Sequence, residues 1–154
     1  MLKVGIISDT HGLLRPEAVR RLAGVDHIIH AGDIGRPDIV EQLRSIAPVT
    51  AIRGNIDTAD WANAYPATET IRLGTRAVHV VHDVHDLAID PATACIDIIV
   101  SGHSHRAGVE TRDGVLYLNP GSAGPRRFRL PITLATLDIS SASLSPVIHD
   151  LGSA

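Results

Sequence analysis

The sequence predicts an α/β fold whose first half alternates strand with helix and whose second half is rich in hairpins. Three observations carry this. Short apolar runs at 4–8, 27–31 and 49–52 each end in a polar turn. Pro16 and Pro37 stand between those runs, and proline suits the first turn of a helix. From residue 70 onward, apolar stretches flank Gly74-Thr75 and Arg112-Asp113-Gly114, which are hairpin turn signals.

The elements follow in order. Run 4–8 is short and apolar, as a strand buried on both faces should be, and it ends at Asp9-Thr10-His11-Gly12. Pro16 opens a helix with Val19, Leu22 and Ala23 as its apolar side. Residues 27–31 are the next strand, closing on Gly32-Asp33. Pro37 opens a second helix, with Ile39, Val40, Leu43 and Ile46 spaced for one buried side. Residues 49–52 are a third strand, ending at Arg53-Gly54-Asn55. This succession implies βαβ crossovers and a parallel sheet. Residues 70–73 and 76–81 form a hairpin, 91–94 a short helix, and 98–100 a strand that ends at Ser101-Gly102-His103. Residues 109–111 and 115–118 form a second hairpin, and 132–139 and 144–149 an antiparallel pair. No linker, repeat or low-complexity tract interrupts the chain, so residues 1–154 read as one domain.

Composition narrows the function. Fourteen basic residues stand against 17 acidic ones, a net charge of -3, which argues against stable nucleic-acid binding. The aromatics are Trp61, Tyr65, Tyr117 and Phe128, so the core is aliphatic and base-stacking platforms are not expected. Cys95 is the single cysteine, which excludes an internal disulfide and a cysteine zinc cage and fits a reducing compartment. No apolar run approaches the roughly 20 residues that span a bilayer. The chain opens Met1-Leu2-Lys3-Val4 and enters a strand at once, so a secretory leader is not expected and a cytoplasmic location is.

Nine histidines are many for a chain with so few aromatics, and their placement is ordered. Asp9 and His11 follow the first strand, Asp33 the second and Asn55 the third. His82 follows the run ending at Val81, and His103 and His105 follow 98–100. Open α/β sheets bind ligands beyond the carboxyl ends of their strands. Two carboxylates, four imidazoles and one amide form a mixed nitrogen and oxygen set. Such a set suits Mn²⁺, Fe, Co²⁺, Ni²⁺ or Zn²⁺ better than Ca²⁺. Seven ligands are too many for one such ion, and seven with one carboxylate shared suit two. Ions ~3.5–4 Å apart clamp the attacking and leaving oxygens in phosphoester hydrolysis.

Asp9-Thr10-His11, Gly32-Asp33, Gly54-Asn55-Ile56-Asp57, His82 and Gly102-His103-Ser104-His105 together resemble the motif series of the calcineurin-like metallophosphoesterase superfamily. Asn119-Pro120-Gly121-Ser122 and the length resemble its small prokaryotic phosphodiesterase branch. The resemblance implies a four-layered α/β/β/α sandwich of two mixed sheets flanked by helices. It implies two divalent ions per chain, manganese favoured, joined by a bridging hydroxide. Asp9, His11, Asp33 and His105 would hold the first ion. Asp33, Asn55, His82 and His103 would hold the second. Ser122 is then a loop residue, not a nucleophile.

Two departures bear on substrate. Phosphatases of the superfamily often carry histidine after the motif asparagine, where this chain has Ile56, which donates no proton. That points to diesters or to good leaving groups. The lone histidine is commonly followed by glycine, and here Asp83 follows His82. Asp83 adds charge, orients a ligand or narrows access. His27, His79 and His149 read as structural or surface residues, His30 as a support behind Asp33, and His85 as either a surface residue or a proton-transfer candidate. Arg126, Arg127 and Arg129 read as a solvated face or a contact for substrate anions. Trp61 and Tyr65 read as lining a pocket or a subunit contact.

The expected activity is therefore a two-metal phosphodiesterase acting on a small phosphoester, away from membranes, with self-association left open. The alternatives are a small-molecule phosphomonoesterase and a non-catalytic scaffold resembling the retromer subunit of this fold. All seven ligand positions are filled, which favours catalysis. A plain nucleotide-binding α/β domain fits poorly, because no G-x-G-x-x-G follows the first strand and Asp9 would repel a pyrophosphate unless metal intervened.

Overall fold

The computed structural model describes residues 1–127 and 129–152; Phe128 lies outside the described residues. In chain order the elements are β1 (Leu2–Ile7), α1 (Pro16–Leu22), β2 (His27–His30), α2 (Pro37–Arg44), β3 (Val49–Ala51), β4 (Thr68–Leu73), β5 (Arg76–Val81), β6 (Ile98–Val100), β7 (Gly108–Arg112), β8 (Val115–Asn119), β9 (Thr133–Ile139) and β10 (Leu144–Asp150). They form two five-stranded sheets, ordered β10-β9-β1-β2-β3 and β4-β5-β6-β8-β7. In the first sheet β1, β2 and β3 are parallel, and β9 and β10 are antiparallel additions beside β1. In the second, β5, β6 and β8 are parallel, with β4 and β7 as antiparallel edges. Both sheets are thus mixed, as expected.

Side-chain alternation separates the layers. Val4, Ile6 and Ile29 face Val78, Val80, Ile98, Val100 and Leu118 across the space between the sheets. Ile7 and Ile28 point the other way, against Ala18 and Leu22 of α1 and Ile39, Val40 and Leu43 of α2. The outer face of the second sheet, with Val81, Ile99 and Val115, is covered by Val84, Leu87, Ile89 and Ile96. That cover is a 3-10 turn at Val84–Asp86 and a run of turns, so this layer is thinner than the helical one.

Two local expectations need correction. The buried side of α1 is Ala18 and Leu22, while Val19 is 38% exposed and Ala23 lies at the exposed end. Leu22 seats over the bare Cα of Gly5 in β1, where a Cβ would collide with it, and so can sit closer to the sheet than over any other residue type. Residues 91–95 form a hydrogen-bonded turn, not a helix. Asp90 starts it as a cap would, accepting from Ala92 N–H and Thr93 O–H. Cys95 then adopts φ 58°, a left-handed conformation that ends the turn. Among the described residues no helix is long and apolar enough to cross a membrane.

Candidate metal centre

The parallel strands of both sheets end at one edge, and their outgoing loops meet there. The loop after β1 extends the ladder onto the loop after β2: Asp9 N–H donates to Gly32 O (3.0 Å), His11 N–H to Asp33 O (2.9 Å) and Gly12 N–H to Ile34 O (2.8 Å). In the second sheet Gly102 N–H donates to His82 O (2.8 Å). His103 N–H crosses between sheets to Asp9 Oδ2 (3.1 Å). The five strands that release the predicted ligands therefore belong to two sheets, and the site lies at their seam.

Two groups of ligand atoms result, Asp9 with His11 and His105, and Asp33 with His82 and His103. They adjoin. Asp33 Oδ2 is 3.5 Å from His11 Nε2 and 3.2 Å from His82 Nε2. Asp9 Oδ1 is 3.4 Å from His105 Nε2, 3.8 Å from His11 Nε2 and 3.9 Å from His82 Nε2. One terminal atom of Asn55 lies 3.0 Å from His82 Nε2, 3.2 Å from His103 Nδ1 and 3.3 Å from each Asp33 oxygen. All seven predicted side chains are brought together.

The lone pairs fit a cation. Asp9 Oδ2 is used by Ser8 O–H (2.7 Å) and His103 N–H (3.1 Å), while Oδ1, fully buried, has no hydrogen-bond partner. His11 Nε2 is likewise buried and unpartnered. His82 Nδ1 lies 2.7 Å from Ala31 O, and a carbonyl only accepts, so Nδ1 carries the proton and Nε2 turns its lone pair inward. The Asn55 amide faces the same atoms: its N–H₂ can donate to Asp33 and His82 when no metal is bound, and turned over it offers its oxygen to a cation. Buried acceptors aimed at one another are costly unless a proton or a metal ion stands between them.

Electrostatics agree. Burial opposes ionisation of Asp9, but His105, His11 and Ser8 hold its carboxyl well below the usual range. Burial opposes protonation of His82, yet Asp33 and the Ala31 carbonyl raise its affinity for a proton above the ordinary imidazole value. Divalent ions would take the place of those protons.

The loops carry strain. Asp9 (φ 56°), His11 (48°), Asp33 (56°), His103 (69°) and His105 (62°) are all left-handed. Each costs about 1–2 kcal/mol for a residue with a Cβ. Strain of this kind persists where surrounding structure enforces it, and it gathers at functional sites.

The remaining sequence candidates fall outside the two groups. His27 Nε2, His79 Nδ1 and His149 Nε2 each pair with a cross-strand threonine hydroxyl, of Thr50, Thr70 and Thr136 respectively, and burial lowers all three pKa values. His30 stands behind the site, bonded to Thr10 Oγ1 (2.9 Å) and Gly32 N–H (3.1 Å). Trp61 and Tyr65 stack edge-on at 6.3 Å and pack against the helical core. Arg126, Arg127 and Arg129 are exposed, and the Arg126 guanidinium turns back to Leu130 O. Ser122 O–H donates to Asp9 O (3.1 Å), a supporting bond. Asn119, quoted in the sequence only within Asn119-Pro120-Gly121-Ser122 and given no task, donates its amide to Gly102 O (3.0 Å) and Ser104 Oγ (3.2 Å) and so holds the loop of His103 and His105. The sequence placed the preceding strand only in a hairpin, and its parallel pairing with β6 is a tertiary fact.

Comparison with known proteins agrees with this geometry. A family profile described as the calcineurin-like phosphoesterase superfamily domain matches residues 2–142. A probable metallophosphoesterase of Methanocaldococcus jannaschii is 31% identical over 159 residues, covering 94% of this chain and 81% of that protein. The probable metallophosphoesterase YsnB of Bacillus subtilis is 30% identical over 161 residues, covering 97% and 91%. Vps29 from Chaetomium thermophilum superposes with a TM-score of 0.83 at 17% identity, covering 97% and 87%. An archaeal phosphodiesterase superposes with a TM-score of 0.78 at 23% identity, covering 96% and 100%. At these identities the two solved structures show the fold alone. The architecture is that of a metallophosphoesterase. The chain belongs to the calcineurin-like phosphoesterase superfamily.

Proposed function

We propose that this protein is a two-metal phosphodiesterase acting on a small phosphoester, with residues 1–154 working as one domain. Asp9, His11, Asp33 and His105 hold one ion. Asp33, Asn55, His82 and His103 hold the other. The observation that carries this reading is Asp33 Oδ2, which lies within 3.5 Å of both His11 Nε2 and His82 Nε2 and so can serve both groups. The donor set suits Mn²⁺ among several transition ions. Two such ions supply Lewis-acid charge that neutralises phosphoryl oxygens and makes a water nucleophilic near neutral pH.

The chain's own residues have separate tasks. Ser8 O–H and His103 N–H orient Asp9 so that Oδ1 faces inward. Ala31 O fixes the His82 ring. Ser122 is engaged with Asp9 O and supplies no nucleophile. Ile56 offers no proton to a leaving group, which favours diesters. Fold likeness to Vps29 keeps a scaffold in view, but fold alone does not carry function, and here every ligand position is filled.

Elemental analysis after saturation with Mn²⁺ tests the proposal. Two equivalents per chain are expected, with turnover of an aryl phosphodiester. Asp33→Asn should deplete both equivalents, His105→Ala the first and His103→Ala the second. A wild-type stoichiometry of one or less defeats the two-metal reading.

A further inference from the structure

Asp57 was quoted in the sequence only as the end of Gly54-Asn55-Ile56-Asp57, with no task. In the structure it is 4% exposed and lies behind the seam between two ligand loops. Its carboxylate accepts three backbone bonds. Oδ2 takes Ile34 N–H (2.9 Å) and Gly54 N–H (2.8 Å), and Oδ1 takes Gly35 N–H (2.9 Å). Ile34 and Gly35 directly follow Asp33, and Gly54 directly precedes Asn55. One side chain thus ties the loop after β2 to the loop after β3.

We propose that Asp57 is a positioning residue that sets the second ligand group by clamping Asn55 against Asp33; this rests on the two-ion reading above. The two loops are not held equally. The Asp33 loop is also fixed from the loop after β1, by His11 N–H to Asp33 O and Gly12 N–H to Ile34 O. The Asn55 side has fewer ties to Asp33, through Asp57 and through Ile56 N–H to Asp33 Oδ1 (3.1 Å). Releasing Asp57 therefore frees Asn55 more than Asp33. The carboxylate is needed as such. An ionised carboxylate only accepts, whereas an amide of the same size must present N–H₂ to one side of the clamp. Turned one way the amide faces Gly35 N–H with a donor. Turned the other way it faces both Ile34 and Gly54.

The test is Asp57→Asn, read by metal titration against a competing chromophoric chelator, with no turnover required. The second equivalent should weaken ~10–100-fold, the range found when outer supports of metal ligands are removed. The first equivalent should keep its wild-type affinity, so the variant resembles His103→Ala and not His105→Ala. Asp97→Asn is the control, because Asp97 Oδ2 likewise accepts a partly buried backbone bond, from Ala77 N–H (2.8 Å), but at the base of β5. It should lower thermal stability and leave both affinities unchanged. The proposal is overturned if Asp57→Asn binds both equivalents normally, or if it loses both together in step with its stability. A wild-type chain that binds fewer than two ions defeats the two-ion reading itself, which is a separate and recognisable result.

Discussion

Asp83 Oδ2 lies 3.7 Å from Nε2 of His103, on the side of the ring away from Asn55. Its Oδ1 is held by His85, through the backbone N–H (3.1 Å) and ring Nδ1 (3.0 Å). Slight burial works against ionisation of Asp83, but these bonds to His85 and the neighbouring His103 hold its carboxyl below the usual range. Of the three roles open to Asp83 in the sequence, the geometry favours orienting a ligand. His103 is the most exposed of the candidate ligand imidazoles, its side chain 46% exposed, and so has most need of a partner.

Asp83→Asn keeps the size and removes the charge. Loss of an outer carboxylate typically weakens a metal site ~10–100-fold, and the length of this contact places the effect near the low end. The second Mn²⁺ equivalent should weaken by about 10-fold in a chelator competition, with the first unchanged. Unchanged affinity at both would show that Asp83 does not support His103.

Gly54 is a packing requirement as well as a turn residue. A methyl group there would run into the backbone nitrogen and carboxylate of Asp33. Gly54→Ala should cost ~1–3 kcal/mol, as overpacking does, and reduce bound metal by pushing Asp33 from its place. Gly108→Ala, where a Cβ meets nothing within 4 Å, should leave metal content unchanged. Denaturant melts and elemental analysis of both variants decide the matter; normal metal content in Gly54→Ala would refute the argument.

Ile56 bears on substrate class. The residue is 43% exposed, while its backbone N–H donates to Asp33 Oδ1. A substitution can therefore change the side chain and keep that bond. General acid help is worth ~10²–10⁴-fold, and it matters most for poor leaving groups. Aryl phosphodiesters should be cleaved with higher kcat/KM than phosphoserine under the same metal. Ile56→His should raise monoesterase activity relative to diesterase activity. A wild-type preference for phosphoserine refutes the diesterase reading and leaves the metal sites standing.

His30 makes a pH prediction. It is fully buried, and burial is the main cause that lowers its pKa from 6.5 to about 4, against the pull of Asp9, Asp57 and Asp33. Nδ1 accepts from Gly32 N–H and Nε2–H donates to Thr10 Oγ1, which donates to Ile34 O, so the neutral ring completes the chain. As pH falls below 6.5 the unfolded chain takes up this proton before the folded one does. The contribution to stability is complete above 6.5 and drains away as pH falls towards 4, by up to ~3 kcal/mol. In metal-free protein the His30 ring resonances should stay unshifted from about pH 8 to about pH 5. A titration midpoint near 6.5 would refute the assignment.

The order of strands and helices could be read before folding because the signals are local. Apolar runs of four to six residues, proline at both helix starts and glycine at both hairpin turns act over a few bonds. The seven candidate ligands were legible for the same reason, since each follows the end of a strand. Signals that depend on distant neighbours were not legible. The buried side of α1 includes Leu22 resting on Gly5 of β1, and residues 91–95 form a turn that ends at the left-handed Cys95 where a helix was expected over 91–94.

The supporting residues were hidden for a related reason. Asp57, Asn119 and Ser122 act by meeting backbone atoms of other loops, and no periodicity marks such meetings. The chain alone specified which residue types could hold metal and where each leaves its strand. Only the tertiary structure distributed those strands between two sheets and turned Asp9 Oδ1, Asp33 Oδ2 and His82 Nε2 towards one another. Residue type is a property of one position, whereas the direction of a lone pair depends on every backbone bond that fixes the loop carrying it.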